Sequence, residues 1–149
     1  MITKIYKVIP LLLLALFVSV SAPSLASAHQ PRITNGETTQ VVDPEISKAY
    51  YAELSGKPQT YVIQSDKAFD LYVSLTVPDI EGQRTDFFYY IYQDGNKIYP
   101  LTEFDGSAME WTKFWEKFGH DSYLQAGEVQ TQVPAGTYEI EVSNVDNIQ

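Results

Sequence analysis

The sequence predicts a mainly β domain, an antiparallel sandwich carrying one short amphipathic helix, and three observations predict it. Phe69-Asp70-Leu71-Tyr72-Val73-Ser74-Leu75-Thr76-Val77 alternates apolar and polar residues without a break, as does Thr137-Tyr138-Glu139-Ile140-Glu141-Val142. A period of two marks strands with one buried and one wet face. Turn signals separate such runs: Ser55-Gly56-Lys57-Pro58, Asp94-Gly95-Asn96 and Pro134-Ala135-Gly136. The period changes once, where Trp111, Phe114, Trp115 and Phe118 stand at i, i+3, i+4 and i+7 with Glu110, Lys113, Glu116 and Lys117 on the other side. That spacing predicts a helix over residues 110–118, ended by Gly119 and plugging one open face or end of the sandwich.

The chain opens on a segment that does not belong to the fold. Lys4 and Lys7 make a basic start, Ile9 to Val20 is almost wholly apolar, and small residues lead to Ala26-Ser27-Ala28. This is the order of a signal peptide, and the apolar run falls short of the roughly 20 residues a membrane span needs. Cleavage after Ala28 leaves His29 first and makes the mature protein secreted or extracytoplasmic. His29 to Thr39 reads as a flexible leader, and residues 40–149 as a single domain, long enough to bury a core.

Within that domain, Gln40-Val41-Val42 opens a strand that Asp43-Pro44 breaks. Ala49 to Leu54 and Gln59 to Gln64 read as a hairpin around Ser55–Pro58. Phe69, Leu71, Val73, Leu75 and Val77 are expected in the core. Asp86 to Gln93 carries Phe87, Tyr89 and Ile91 on one face but Phe88, Tyr90 and Tyr92 on the other, so it is either covered on both sides or displays a tyrosine row. Asp94-Gly95-Asn96 turns it into Lys97-Ile98-Tyr99, a second hairpin. Leu101 to Ala108 reads as irregular. Strands resume at Tyr123-Leu124 and Val129–Val133, and Tyr138, Ile140 and Val142 are expected to face Leu71, Val73 and Leu75. The count is about seven or eight strands, as sandwiches of this size have. Beyond Val142 only the turn-like Asn144–Asn147, Ile148 and Gln149 remain. The last strand is therefore expected to lack its hairpin partner, through truncation, or to leave an edge.

Taken in order, the hairpin AYYAELSG…QTYVIQSD, the strand AFDLYVSLTVPD, the turn region DFFYYIYQDGNKIY and the late strand VPAGTYEIEVSN resemble the bacterial pre-peptidase C-terminal (PPC) domain family. The resemblance covers roughly residues 48–144 and rests on the order of the pieces. It implies a PPC-like, jelly-roll-like sandwich serving as a non-catalytic accessory module of exported proteins, sometimes linked to cation or polymer binding. The chain departs from the family pattern in lacking a closing Gly-x-Tyr-x-Leu strand and in its aromatic segment at 110–118.

Composition narrows the chemistry. There is no cysteine, so no disulfide framework is available. Lys4 and Lys7 precede His29 and no acid does, so residues 29–149 carry eight basic against nineteen acidic side chains, a net charge of −11. That excess argues against nucleic acid and anionic membranes as partners. The membrane enters only through the signal segment or an anchor beyond Gln149. His120-Asp121-Ser122 holds the residue types of a hydrolytic triad, but adjacent residues point apart, and no Gly-x-Ser-x-Gly elbow exists. Two histidines without cysteine do not make a zinc site. Asp79, Glu81, Asp86, Asp105, Asp121 and Glu128 offer the hard oxygen donors that calcium takes, though without an Asp-x-Asp-x-Asp-Gly loop, and isolated loop acids are usually only solvated. Tyr90, Tyr92, Tyr99, Trp111 and Trp115 are candidates for a platform on which sugar rings stack, weighed against the plainer reading that the Trp111–Phe118 stripe packs on Tyr90 and Tyr92 as core. The expected function is therefore a non-catalytic module for cell-surface or extracellular structure or interaction, its partner a protein or polysaccharide. Carbohydrate binding through exposed aromatics is the alternative, and hydrolysis the least favoured.

Overall fold

Alternation becomes strand wherever it is cleanest. The computed structural model describes residues 30–117 and 119–148, and these hold ten strands and no helix. In order they are β1 (Gln30–Ile33), β2 (Thr38–Val41), β3 (Lys48–Tyr51), β4 (Gln59–Ser65) and β5 (Phe69–Pro78), then β6 (Phe88–Gln93), β7 (Thr102–Asp105), β8 (Thr112–Glu116), β9 (Asp121–Val133) and β10 (Gly136–Ser143). The signal segment at residues 1–28 lies outside the described residues.

Three sheets result. The largest runs β2-β4-β10-β6-β7, a second runs β5-β9-β8, and β1 and β3 form a two-stranded ribbon. Pairing is antiparallel except for β2 with β4 and β1 with β3, which are parallel. The two larger sheets bury their apolar residues in one cluster. The five-stranded sheet supplies Ile63, Tyr89, Ile91, Phe104, Tyr138 and Ile140, and the three-stranded sheet supplies Phe69, Leu71, Ala126 and Val133. Of the five residues expected in the core from β5, Phe69, Leu71 and Val77 are buried and Val73 and Leu75 are partly so. A smaller cluster of Leu54, Val77 and Phe87 continues it, with Leu75, Trp111 and Leu124 packed against it.

Several expectations are corrected. Thr112–Glu116 is a strand, not part of a helix over 110–118; Phe114 pairs with Tyr123 and Glu116 with Asp121 on β9. Aromatic and β-branched side chains suit a pleated surface, and the neighbouring β9 offers a ladder of backbone hydrogen bonds that a helix would forgo. The segment read as a flexible leader is partly paired, with Gln30–Ile33 against β3 and Thr38 and Thr39 against β4. The first hairpin does not form: β3 pairs with β1, and β4 lies between β2 and β10. Finally, β10 is not an edge, because β4 and β6 flank it on both sides.

Two turns explain how β6 and β10 are held in register. Asp94 and Gly95 both have positive φ, 51° and 75°, and the Asn96 N–H donates to the Gln93 carbonyl at 3.0 Å. This is the type I′ geometry that Asp-Gly favours, since its twist matches that of the strands it joins. The Asp94 carboxylate also accepts the Thr137 N–H at 2.9 Å, tying the turn to β10. The returning strand is not Lys97–Tyr99 but β7, whose Thr102 opposes Ile91. Before β10, Tyr138 Oη donates to the Pro134 carbonyl at 2.9 Å, so the ring that fills the core also pins the preceding turn.

The long β9 bends at Gly127. Val73 opposes Val129 and Leu75 opposes Ala126, so Gly127 and Glu128 together face the single residue Ser74. Gly127 has a φ of 65°, the left-handed conformation that a bulge of this kind places on glycine. Its carbonyl accepts a hydrogen bond from Tyr89 Oη at 2.6 Å, and a Cβ there would lie 2.8–3.0 Å from the Phe104 ring.

The end of the described chain is fastened by Asn144 and Arg84. Asn144, buried, donates from Nδ2 to the Ile148 carbonyl at 2.6 Å and accepts the Ile148 N–H at 3.2 Å. Arg84 forks onto both Asp86 oxygens at 2.9 and 2.6 Å and reaches Asp146 Oδ1 at 2.8 Å and the Ile148 carbonyl at 3.1 Å. These hydrogen bonds hold the Asp86 and Asp146 carboxyls below their ordinary range, and bonds from Lys113 and Ser122 do the same for Asp79. A carboxyl whose folded-state pKa is depressed adds stability above its unfolded pKa and loses it as pH falls through the folded one. The melting temperature should therefore hold steady down to about pH 5 and fall below about pH 4. Arg84→Met should make that acid decline shallower. An unchanged decline in the variant would show that the arginine clamp contributes nothing to acid stability.

Candidate functional site

The alternation that buries Tyr89 and Ile91 turns Phe88, Tyr90 and Tyr92 to the opposite face of the five-stranded sheet. Successive side chains on a strand point to opposite faces, and residues opposite one another across a ladder share a face. The register therefore sets Glu139 beside Tyr92 and Glu141 beside Tyr90 on the β10 side. On the β7 side it sets Glu103 beside Tyr90 and Asp105 beside Phe88. The rings form a row along β6: Tyr90 and Tyr92 lie 6.0 Å apart with planes 23° from parallel, and Phe88 and Tyr90 lie 5.9 Å apart at 67°. Tyr90 is partly exposed, and Glu103 and Asp105 are exposed.

One end of the row is already occupied. The turn after β6 delivers Lys97, whose ammonium lies 4.6 Å from the centre of the Tyr92 ring, 2.8 Å from Glu139 and 3.1 Å from Glu141. The negative face of an aromatic ring attracts a cation, and two carboxylates add to the attraction. Burial lowers the Lys97 pKa, but the hydrogen bonds to Glu139 and Glu141 outweigh it and leave the pKa raised. The Tyr92 phenol is raised by burial first and then by the negative charge of Glu141. Tyr92 is consequently covered, whereas Tyr90 has glutamates on both sides, of which only Glu141 is engaged by Lys97.

The five aromatics proposed as a single platform are not brought together. Tyr90 and Tyr92 share the outer face just described. Tyr99 is exposed in the loop between β6 and β7, beside an open hollow lined by Gln93, Asp94, Asn96, Pro100 and Leu101. Trp111 packs edge-on to Phe104 at 6.2 Å and donates from Nε1 to the Gly106 carbonyl at 2.9 Å, so it belongs to the core boundary. Trp115 is exposed on β8, with the His120 ring 6.4 Å away.

The acids proposed for calcium are likewise dispersed, and among the described residues no three Asp, Glu or His side chains gather as ligands would. Asp79 accepts from Lys113 at 2.8 Å and from Ser122 at 2.9 Å. Asp86 is taken by Arg84, and Asp105 accepts the N–H and hydroxyl of Ser107 at 2.9 and 2.7 Å. Glu81 lies in the loop before β6, while Asp121 begins β9 and Glu128 sits in its bulge. His120 is exposed in the turn before β9, and Ser122 is committed to Asp79.

Sequence reasoning placed Phe88, Tyr90 and Tyr92 on one face but missed Lys97, Glu103, Glu139 and Glu141 as their neighbours. The available signal was the wet face of VPAGTYEIEVSN, whose glutamates had to lie beside something. That the something is the tyrosine row depends on β10 inserting beside β6. No protein-family model, curated protein or solved structure matches this chain.

Proposed function

We propose that the chain is an exported, non-catalytic binding module, a β-sandwich whose sequence motifs resemble, in their order, those of the PPC family, and that it engages its partner through the outer face of the five-stranded sheet. The shared core of the two larger sheets supports the sandwich reading. The signal-type segment and the acidic composition support an extracytoplasmic place of work. The observation that carries the binding role is the row Phe88, Tyr90, Tyr92 on β6, flanked by carboxylates of β7 and β10. Rigid aromatics on a regular sheet lose little conformational entropy on binding and dominate interface energetics. The partly exposed Tyr90 ring also suits a stacked sugar ring, and a glycan stands as the alternative ligand.

The test is retention on cell-envelope material from the producing organism. Tyr90→Ala should lower retention roughly tenfold, the effect of losing one interface anchor. Tyr72→Ala, an exposed tyrosine on β5 of the other sheet, should leave it unchanged. Equal retention of wild type and Tyr90→Ala, with both folded by circular dichroism, would refute a role for this face.

A further inference from the structure

We infer that the ligand chemistry of this face is cationic, and that it takes the ammonium or guanidinium groups of an extended basic peptide segment. The inference rests on the binding role proposed above and names its partner. Lys97 shows the recognition at work within the chain: an ammonium over the Tyr92 ring, held by Glu139 and Glu141. Two residues along β6 the same elements recur, Tyr90 with Glu141 on one side and Glu103 on the other, and among the described residues no lysine is seated there. Asp105 extends the acidic flank to Phe88. Each ring face supplies the quadrupole that draws a cation, and each glutamate supplies acceptors for its N–H groups.

Geometry selects an extended segment. Tyr90 and Tyr92, whose ring centres lie 6.0 Å apart, stand two residues apart on one strand, a backbone spacing of about 6.6–6.8 Å. Alternate side chains of any extended peptide have that same spacing. A strand-like segment with Lys or Arg at every second position therefore matches the row, its cations reaching Tyr90 and Phe88 while Lys97 holds the Tyr92 seat. The whole-chain charge of −9 adds long-range attraction for such a partner and penalises an acidic one.

The probe is a synthetic peptide of alternating Lys and Ser, compared with one in which Gln replaces Lys, each titrated calorimetrically into the full mature chain. The lysine peptide should bind and weaken steeply with salt, and the glutamine peptide should not bind. Glu103→Gln and Tyr90→Ala should each weaken binding roughly tenfold. Glu81→Gln, which removes the same charge from an exposed loop, should change it less than twofold. Lys97→Gln should tighten binding several-fold, because it vacates the Tyr92 seat for the ligand. A purely structural Lys97 would give no such gain. If Glu81→Gln weakens binding as much as Glu103→Gln, the attraction is only net charge and the inference falls. If a neutral soluble glycan binds in a Tyr90-dependent way and the lysine peptide does not, the inference is overturned while the binding role of the face stands. Tyr90→Ala envelope retention equal to wild type removes both.

Discussion

Replacing Gly127 with alanine is expected to destabilise the domain by about 2–5 kcal/mol. A residue with a Cβ at a φ of 65° costs about 1–2 kcal/mol in the left-handed region. The Cβ would also stand 2.8–3.0 Å from three atoms of the Phe104 ring. That ring is buried, stacked on Tyr89 at 5.2 Å and edge-on to Trp111, so it has little room to retreat. Overpacking of this kind adds about 1–3 kcal/mol. For a domain of this size the sum corresponds to a fall in melting temperature of roughly 10 °C. Gly95→Ala is the internal control: its φ is 75°, but nothing lies within 4 Å of the added Cβ, so only the conformational strain applies. Equal losses in the two variants would mean that the Phe104 ring yields freely.

Tyr138→Ala is expected to cost about 3–5 kcal/mol, the range for emptying a large aromatic site in a core. Tyr138 is fully buried, meets Phe69 edge-on at 5.5 Å and sits on the central strand of the larger sheet, so both sheets border the void. Against a usual total of about 5–15 kcal/mol, such a loss removes about a fifth of the stability or more. Tyr138→Phe keeps the ring and loses only the hydrogen bond to Pro134, a cost of about 1 kcal/mol. Urea denaturation of the three proteins separates the two contributions. A phenylalanine variant as weak as the alanine variant would place the energy in the Pro134 bond and not in the ring.

The strands legible in the sequence were those whose faces differ most. β5 and β10 alternate cleanly, and Asp94-Gly95 announces its own turn. The Trp111–Phe118 segment misled because a spacing of four is common to both periods. Trp111 and Trp115 share a face in a strand as well as in a helix, and only Phe114 between them looks helical. β9 was read as two pieces because Ala126-Gly127-Glu128 interrupts its alternation, and the interruption is the bulge itself. A glycine inside a strand pattern is the ordinary sign of one. The pairing of distant strands was not legible, and it decides the site. Glu103, Tyr90 and Glu141 come from three strands, and no local pattern says that β10 inserts beside β6.

The placement of β10 also governs when the domain can exist at all. Its partners on β4 lie 71 to 83 residues earlier in the chain, and those on β6 about 45 to 55. Until Gly136–Ser143 arrives, β4 and β6 have no common neighbour and the five-stranded sheet is two separate fragments. Closing loops of this length before any contact repays them makes assembly slow and dependent on a nearly whole chain. A polypeptide with this wiring stays open until its central strand is available, and then closes in a single late step.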